Sequence, residues 1–251
     1  MSSRPLKQRV VYGPVNSKRL GRSLGVNLLP ADRKVCTFDC VYCHYGPTSS
    51  GPYNLPQPDR VLREVREALL AKPQIDYITF AGHGEPSLHM GILEIVERIM
   101  DVRSELAPQA KIALLTNSSK LARPDVARVC RLIDAPICKL DAGNEETLRR
   151  VNRPKPNIYF EDIVRGIKAL TNPILQTMVI EGTAGNSDDE DIEALVEAVR
   201  EIHPGFVQVY SIDLPFPDGS LKPVPNEKLA EIARLIQDET GVEAGAFWES
   251  G

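Results

Sequence analysis

The stretch Ile75–Thr116, IDYITFAGHGEPSLHMGILEIVERIMDVRSELAPQAKIALLT, contains one complete structural unit. Ile75–Ala81 (IDYITFA) is a short apolar run with β-branched and aromatic residues, the composition of a buried strand. Ile92, Leu93, Ile95, Val96, Ile99 and Met100 recur at three- and four-residue spacing and form one wide helical face. Ile112–Thr116 (IALLT) is a second strand. Two buried strands joined by a helix imply a parallel pair with a right-handed crossover.

The same alternation extends in both directions. Upstream lie a first strand near Ser23–Leu28 and a helix face of Val61, Leu62, Val65, Ala68 and Leu69. Downstream come helices around Val126–Ile133 and Phe160–Leu170, with strands at Ala135–Leu140 and Ile174–Ile180. Ser187 and Glu190 have capping-box spacing before a helix at Ile192–Ile202. A strand at Phe206–Ile212 and a helix around Leu229–Ile236 complete about six βα units. Such a series closes most of a barrel or makes an open doubly wound sheet. In either case ligands gather at the carboxyl ends of the strands. Those ends carry the polar and glycine-bearing segments Gly82–Glu85, Asn117–Ser119, Asp141, Glu181–Gly182 and Asp213. The Gly/Pro-rich stretches Gly46–Pro58 and Asp213–Pro225 read as loops.

Composition narrows the class. The chain has 251 residues, 42% hydrophobic and 25% charged, with net charge −4. These fractions are those of a globular protein and exclude disorder, collagen or a coiled-coil rod for the bulk of the chain. No run is long and apolar enough for a membrane span, and MSSRPLKQRVVYGPV lacks a signal-peptide core. A cytoplasmic protein is therefore expected. Residues 1–34 hold eight Lys/Arg against Asp32 alone, whereas residues 181–201 hold eight acids and one Arg. A basic start suits RNA phosphates or an acidic protein, and also suits a solvated surface.

Five cysteines, three of them in CTFDCVYC (Cys36–Cys43), are not a disulfide framework. The C-x3-C-x2-C spacing offers three thiolates to a cubic iron–sulfur cluster and leaves one iron open. Zinc held by Cys36, Cys40, Cys43 and His44 is the rival, although adjacent Cys43 and His44 reach one tetrahedral ion poorly. Cys130 and Cys138 read as buried structural thiols.

CTFDCVYC, with Tyr42 in the aromatic slot, resembles the signature of radical S-adenosylmethionine (SAM) enzymes. The resemblance covers nearly the whole chain. FAGHGEP (Phe80–Pro86) is similar to the family's Gly-Gly-Glu segment, which implies that Gly84 and Glu85 hold the SAM amino group. LLTNSS (Leu114–Ser119) sits where the family contacts ribose and carboxylate, implicating Asn117 and Ser118. VIEGTAGNS (Val179–Ser187) and VQVYSID (Val207–Asp213) resemble segments bordering the adenine, implicating the backbone of Gly182 and Val209. KLDAG (Lys139–Gly143) ends the next strand; there Lys139 is expected to pair with a carboxylate or form a Schiff base, and Asp141 to orient it or bind substrate. His83, beside Glu85, is a candidate to face the pocket, and Tyr210 to touch substrate.

The resemblance implies a partial (β/α)6 TIM-type barrel with parallel strands. The expected layout is one domain over 1–251: a basic extension at 1–21, the barrel at 22–240 and a tail at 241–251. It also implies a 4Fe–4S cluster, SAM, and a flavodoxin or ferredoxin as electron donor docking on Lys18, Arg19 and Arg22. Tyr12–Pro30, CTFDCVYC and VQVYSIDLPFPDG are most similar to the wyosine-synthase-related group. That group implies a tRNA base as substrate, although its second cluster takes three upstream cysteines and none precedes Cys36 here. A protein substrate, as for glycyl-radical activases, a small metabolite, and a zinc- or cluster-binding module are the other expectations.

Overall fold

The computed structural model describes residues 5–213 and 220–248. Residues 214–219, within the loop expected at Asp213–Pro225, and the end of the 241–251 tail lie outside the described residues. The strands are β1 (Val11–Ser17), β2 (Gly21–Val26), β3 (Tyr77–Phe80), β4 (Lys111–Thr116), β5 (Ala135–Lys139), β6 (Ile174–Met178), β7 (Ile180–Gly182), β8 (Phe206–Tyr210), β9 (Leu221–Pro223) and β10 (Ala244–Phe247). Eight of them form one sheet in the order β1-β2-β3-β4-β5-β6-β8-β10. Every pairing from β2 to β10 is parallel, and only β1 runs antiparallel. The strands β7 and β9 make a separate antiparallel pair.

Helices α1 (Pro58–Leu70), α2 (Ile92–Leu106), α3 (Pro124–Leu132), α5 (Phe160–Lys168), α6 (Asp189–Ile202) and α7 (Asn226–Thr240) cover the outer face; α4 (Glu145–Thr147) is a single turn running into a π-helical segment. Proline at the first turn of α1 and of α3 pre-sets the helical φ where no N–H is needed. The stripes predicted from spacing are the buried ones: Val61, Val65 and Leu69 in α1, and Ile92, Ile95, Val96 and Ile99 in α2. They pack on the outward residues of the strands, such as Ile78, Phe80, Ile112 and Leu114, in one large core.

The sheet curls. Arg19, in the turn between β1 and β2, lies 4.0 Å over the ring of Tyr210 at the end of β8, near the opposite edge of the sheet order. A flat sheet would hold these residues far apart. The architecture is thus the expected partial barrel, an α/β fold of parallel strands, with small residues and Leu20, Ala113, Ala135 and Ile137 lining part of the lumen.

Two edges differ from the expectation. The segment 1–21 is not all extension: β1 pairs with β2 as a hairpin, with a bulge between Tyr12 and Val15. The Gly13–Pro14 pair hid this strand, because proline is tolerated only at sheet edges and bulges. The tail also supplies β10, whose AGAF sequence has too little β propensity to be read as a strand. The Ser187–Glu190 box does not form; Asp188 precedes the helix without a side-chain cap, and the Ser187 carbonyl accepts from Lys228 Nζ. Strand β6 stops at Met178 because Asn186 takes over its backbone groups. Its side-chain amide donates to the carbonyls of Met178 and Asp141 and accepts from the Ile180 N–H.

Gly143 illustrates how tightly the strand ends pack. A Cβ there would lie 2.0 Å from the Ala194 carbonyl carbon of α6. Gly143→Ala is expected to destabilise the protein by about 1–3 kcal/mol, the cost of overpacking against rigid backbone. Urea unfolding measures it, and an unchanged midpoint would refute the close approach.

Candidate active site at the carboxyl ends of the barrel strands

The cysteine loop is clamped by two other loops. On one side Val35 bridges to Gly84, and the Glu85 N–H donates to the Val35 carbonyl at 3.0 Å. A Cβ at Gly84 would sit 1.9 Å from that carbonyl oxygen, so only glycine permits the clamp. On the other side the Asp39 N–H reaches the Asn152 carbonyl at 3.1 Å, and the Val41 N–H reaches the Val151 carbonyl at 2.9 Å. The loop itself turns through a Cys43 N–H to Cys40 carbonyl bond.

All three thiols line one cavity, with Lys34, Tyr42, Gly84, Glu85, Asn117, Lys139 and Gln176 among its other walls. Two amides aim at sulfur: Asn117 Nδ2 donates to Cys36 Sγ at 3.6 Å and Asn152 Nδ2 to Cys40 Sγ at 3.4 Å. Donors around sulfur stabilise a ligating thiolate and suit an iron–sulfur cluster. Burial, reinforced by Glu85, pushes the Cys36 thiol up to about 12, and burial raises Cys40 as well. These thiols are protonated until a metal displaces the proton. Among the described residues, no three His, Cys, Asp or Glu side chains converge closely enough to hold a single metal ion.

Glu85 is buried beside the thiols. It accepts from the Asn117 N–H at 2.7 Å, Thr116 Oγ1 at 2.8 Å and the Ser87 N–H at 3.0 Å. Burial nevertheless raises its carboxyl above the ordinary value, a carboxylate poorly compensated by neutral donors alone. Asn117 does not cap a helix. Its Oδ1 accepts from the Ser119 N–H, and its Nδ2 also donates to Thr37 Oγ1 at 2.7 Å. Ser118 follows in a left-handed conformation, φ +69°, and its Oγ donates to the Lys139 carbonyl.

A second network joins the loop to β5. Asp141 is buried and accepts from the Tyr42 hydroxyl, from Asn152 Nδ2 at 2.6 Å, from the Met178 N–H at 2.8 Å and from Lys139 Nζ at 3.1 Å. Lys139 also donates to the Tyr210 hydroxyl at 3.1 Å. Burial alone would discharge Lys139, but Asp141, Tyr210 and Cys40 hold its pKa above that of a free lysine. It stands as a cation, not as the neutral amine that Schiff-base chemistry needs.

Five expected site residues do not line this cavity: His83, Ser118, Asp141, Gly182 and Val209. His83 does not line the cavity: its Nε2 meets the Pro30 carbonyl at 2.6 Å and its Nδ1 accepts from the Lys7 N–H, while burial lowers its pKa. Gly182 lines a separate acidic cavity with Thr147, Arg150 and Asp191. The Val209 side chain belongs to the outer core, so any contact with the adenine is left to its backbone, as expected for it from the sequence. Cys130 and Cys138 are buried free thiols. Four contributors escaped the sequence reading: Lys34, Thr37, Asn152 and Gln176. Lys34 sits among the basic residues that composition assigns to the surface, yet its side chain is 3% exposed and donates to Asp39 and to the Gly46 carbonyl. Nothing in RRVNRP signals that Asn152 reaches back to Cys40.

A profile of the Radical SAM superfamily matches residues 34–199, the span that contains the thiols, Glu85, Asn117 and the Lys139–Asp141 pair. The chain belongs to the radical SAM superfamily. Its members are enzymes that use a 4Fe–4S cluster and SAM. A protein of Brachyspira hyodysenteriae called GTPase Obg is 30% identical over 98% of this chain; the chain spans 34% of that relative's length. The fold is similar to that of a radical SAM methyltransferase from Sphaerobacter thermophilus, at TM-score 0.65 and 17% identity, covering 91% of this chain and 67% of the other. It is also similar to TYW1 with a lysine-pyruvate adduct bound, at TM-score 0.63 and 15% identity, covering 88% and 75% respectively. No helix among the described residues is long and apolar enough to cross a membrane.

Removing Asp141 strands a buried ammonium, an amide and a backbone N–H together. Asp141→Ala is expected to cost about 3–5 kcal/mol, the range for breaking a buried ion pair on one side, and Lys139→Met in the same chain to recover part of it. The raised Lys139 pKa stabilises the fold below the free-lysine pKa of about 10.4, and this contribution is lost as pH rises through the folded value. Unfolding midpoints measured on the metal-free protein across alkaline pH check this: the wild type falls more steeply than Lys139→Met.

Proposed function

We propose that Cys36, Cys40 and Cys43 hold the 4Fe–4S cluster and that the cavity they line receives SAM at the cluster's open iron. The reading is carried by one observation, the placing of three thiols, Glu85 and Lys139 around a single cavity at the strand ends, with buried Asp141 paired to Lys139. The bound cluster and SAM together supply a 5′-deoxyadenosyl radical that abstracts hydrogen from the substrate. The protein supplies binding, orientation and exclusion of water. Glu85 and the Gly84 backbone receive the SAM ammonium, which gives the buried carboxylate the counter-charge it lacks. Asn117 and Ser118 face the SAM ribose and carboxylate. Asn117 and Asn152 hold charge on the sulfurs, and buried Lys34 adds a cation beside the loop. Lys139, fixed as an ammonium by Asp141, orients a compact polar substrate against Tyr210 and Gln176.

A tRNA base is the second reading. Lys7 stacks at 4.4 Å over Tyr12, and Tyr45 meets His83 edge-on at 5.7 Å, so cations and aromatics adjoin at the rim near the cysteine loop. Such a mixture binds unstacked bases. Reduction comes from a flavodoxin or ferredoxin. Of the three cations assigned to its docking, Lys18 and Arg22 are exposed, whereas Arg19 turns into the lumen.

Anaerobic reconstitution is expected to load about four irons per chain, and Cys36→Ala, Cys40→Ala or Cys43→Ala to lose the cluster. With SAM and dithionite the wild type is expected to form 5′-deoxyadenosine. Glu85→Gln is expected to keep its iron and lose at least about a hundredfold in rate, the order expected when a preorganised charge is removed. Undiminished cleavage by Glu85→Gln would overturn the assignment. Stimulation by bulk tRNA selects the RNA reading over the compact substrate.

A further inference from the structure

The lumen below the cysteine loop carries charge that the cofactor assignments leave unused. Arg19 leaves the turn between β1 and β2, and its guanidinium crosses to the Tyr210 ring at 4.0 Å. Its Nη1 is buried with no hydrogen-bond partner. Among the described residues Arg19 enters no ion pair. A guanidinium cannot shed its charge, so a buried unpaired N–H persists at a cost. Lys139 approaches the same tyrosine, 3.1 Å from its hydroxyl and 5.4 Å from its ring centre.

The wall near these cations is partly polar, whereas Leu20, Ala113, Ala135 and Ile137 fill another part of the lumen with the apolar residues ordinary for a barrel. The Tyr210 hydroxyl donates to Gln176, whose amide donates to Gln208 at 2.9 Å; both glutamines are buried. On the facing strands Ser23 and Thr79 share a hydroxyl hydrogen bond at 2.6 Å. Lys139 pairs with Asp141, whose oxygens also accept from Tyr42, Asn152 and Met178. Glu85 is committed to Thr116, Asn117 and Ser87. Among the described residues Arg19 therefore keeps no anionic partner, and its planar fork matches carboxylate or phosphate geometry.

We infer that the lumen binds an oxyanion of the substrate, a carboxylate or a phosphate, through Arg19 and Lys139 against Tyr210. This rests on the proposed function in placing the substrate in the lumen, and it adds that the substrate is an anionic metabolite. Arg19 anchors the charged group from below, and the carbon that loses hydrogen faces the cysteine loop.

Acetate, inorganic phosphate and uncharged acetamide are the probes, titrated into the anaerobically reconstituted, oxidised protein with SAM present. Saturation-transfer NMR reads acetate and acetamide, and phosphorus line broadening reads phosphate. At least one anion is expected to bind saturably, more tightly than acetamide. R19Q is expected to weaken that anion at least tenfold at unchanged iron content and circular dichroism. Acetate binding alone marks a carboxylate, and phosphate binding alone a phosphoester. In wild-type protein labelled with 15N-arginine, the Arg19 side-chain signal, assigned by its loss in R19K, is expected to shift in the same titration. This second readout needs no folded R19Q. No preference for an anion over acetamide, equal affinity in R19Q, or a stationary Arg19 signal overturns the proposal. Formation of 5′-deoxyadenosine by the same samples is scored separately. Cleavage without anion binding removes the lumen site alone, and anion binding without cleavage removes the radical reading alone.

Discussion

A single buried carboxylate, Asp141, holds the site to the barrel. It receives a hydroxyl from the cysteine loop through Tyr42, an amide from Asn152, a backbone N–H from Met178 and an ammonium from Lys139. Loop, strand β5, the turn after α4 and strand β6 therefore meet at two oxygen atoms. In a low-dielectric interior such a network is cooperative and unforgiving, because losing one partner leaves the others unpaired. The position of Cys40 follows from it, since Asn152 bonds both Asp141 and the Cys40 sulfur.

The curled sheet separates two environments that a flat sheet would not. Outward residues of the strands pack with helices into an apolar core. Inward residues include Ser23, Thr79, Lys139, Gln176, Gln208 and Tyr210 beside Leu20, Ala113, Ala135 and Ile137, so the concave face mixes polar and apolar groups where the convex face is apolar. Alternation along a strand makes this possible, because successive side chains point to opposite faces. Inward Gln176 sits between Leu175 and Thr177 on the opposite face, and all three are buried.

Charge in the site is distributed so that each group awaits a complement. Glu85 is a carboxylate with neutral donors only, suited to an incoming ammonium. The thiols of Cys36 and Cys40 are protonated by burial and become ligands when a metal replaces the proton. Lys34, sealed under the loop, offers a fixed positive charge to that anionic sulfur set. This pattern of incompletely satisfied buried groups costs stability, which marks a binding site and not a packing core.

Local pattern determined the elements and the ligand loop. The 3.6-residue stripes of Val61–Leu69 and Ile92–Ile99, the apolar strand runs and the proline helix starts each express a preference held within a few neighbouring residues. The three-cysteine spacing is equally local, as are the glycine and acid of Gly84–Glu85. The hairpin strand Val11–Ser17 and the edge strand Ala244–Phe247 were not legible, since a bulge at Gly13–Pro14 and a run of small residues are accepted only where a partner strand already stands. The curl of the sheet decided the remainder. It brought Arg19 to Tyr210, Asn152 to Cys40 and Asn117 to Cys36, and it turned His83 toward the Pro30 carbonyl. Contacts between residues 53 to 191 positions apart depend on how strands close around a lumen, and no short window of sequence encodes that closure.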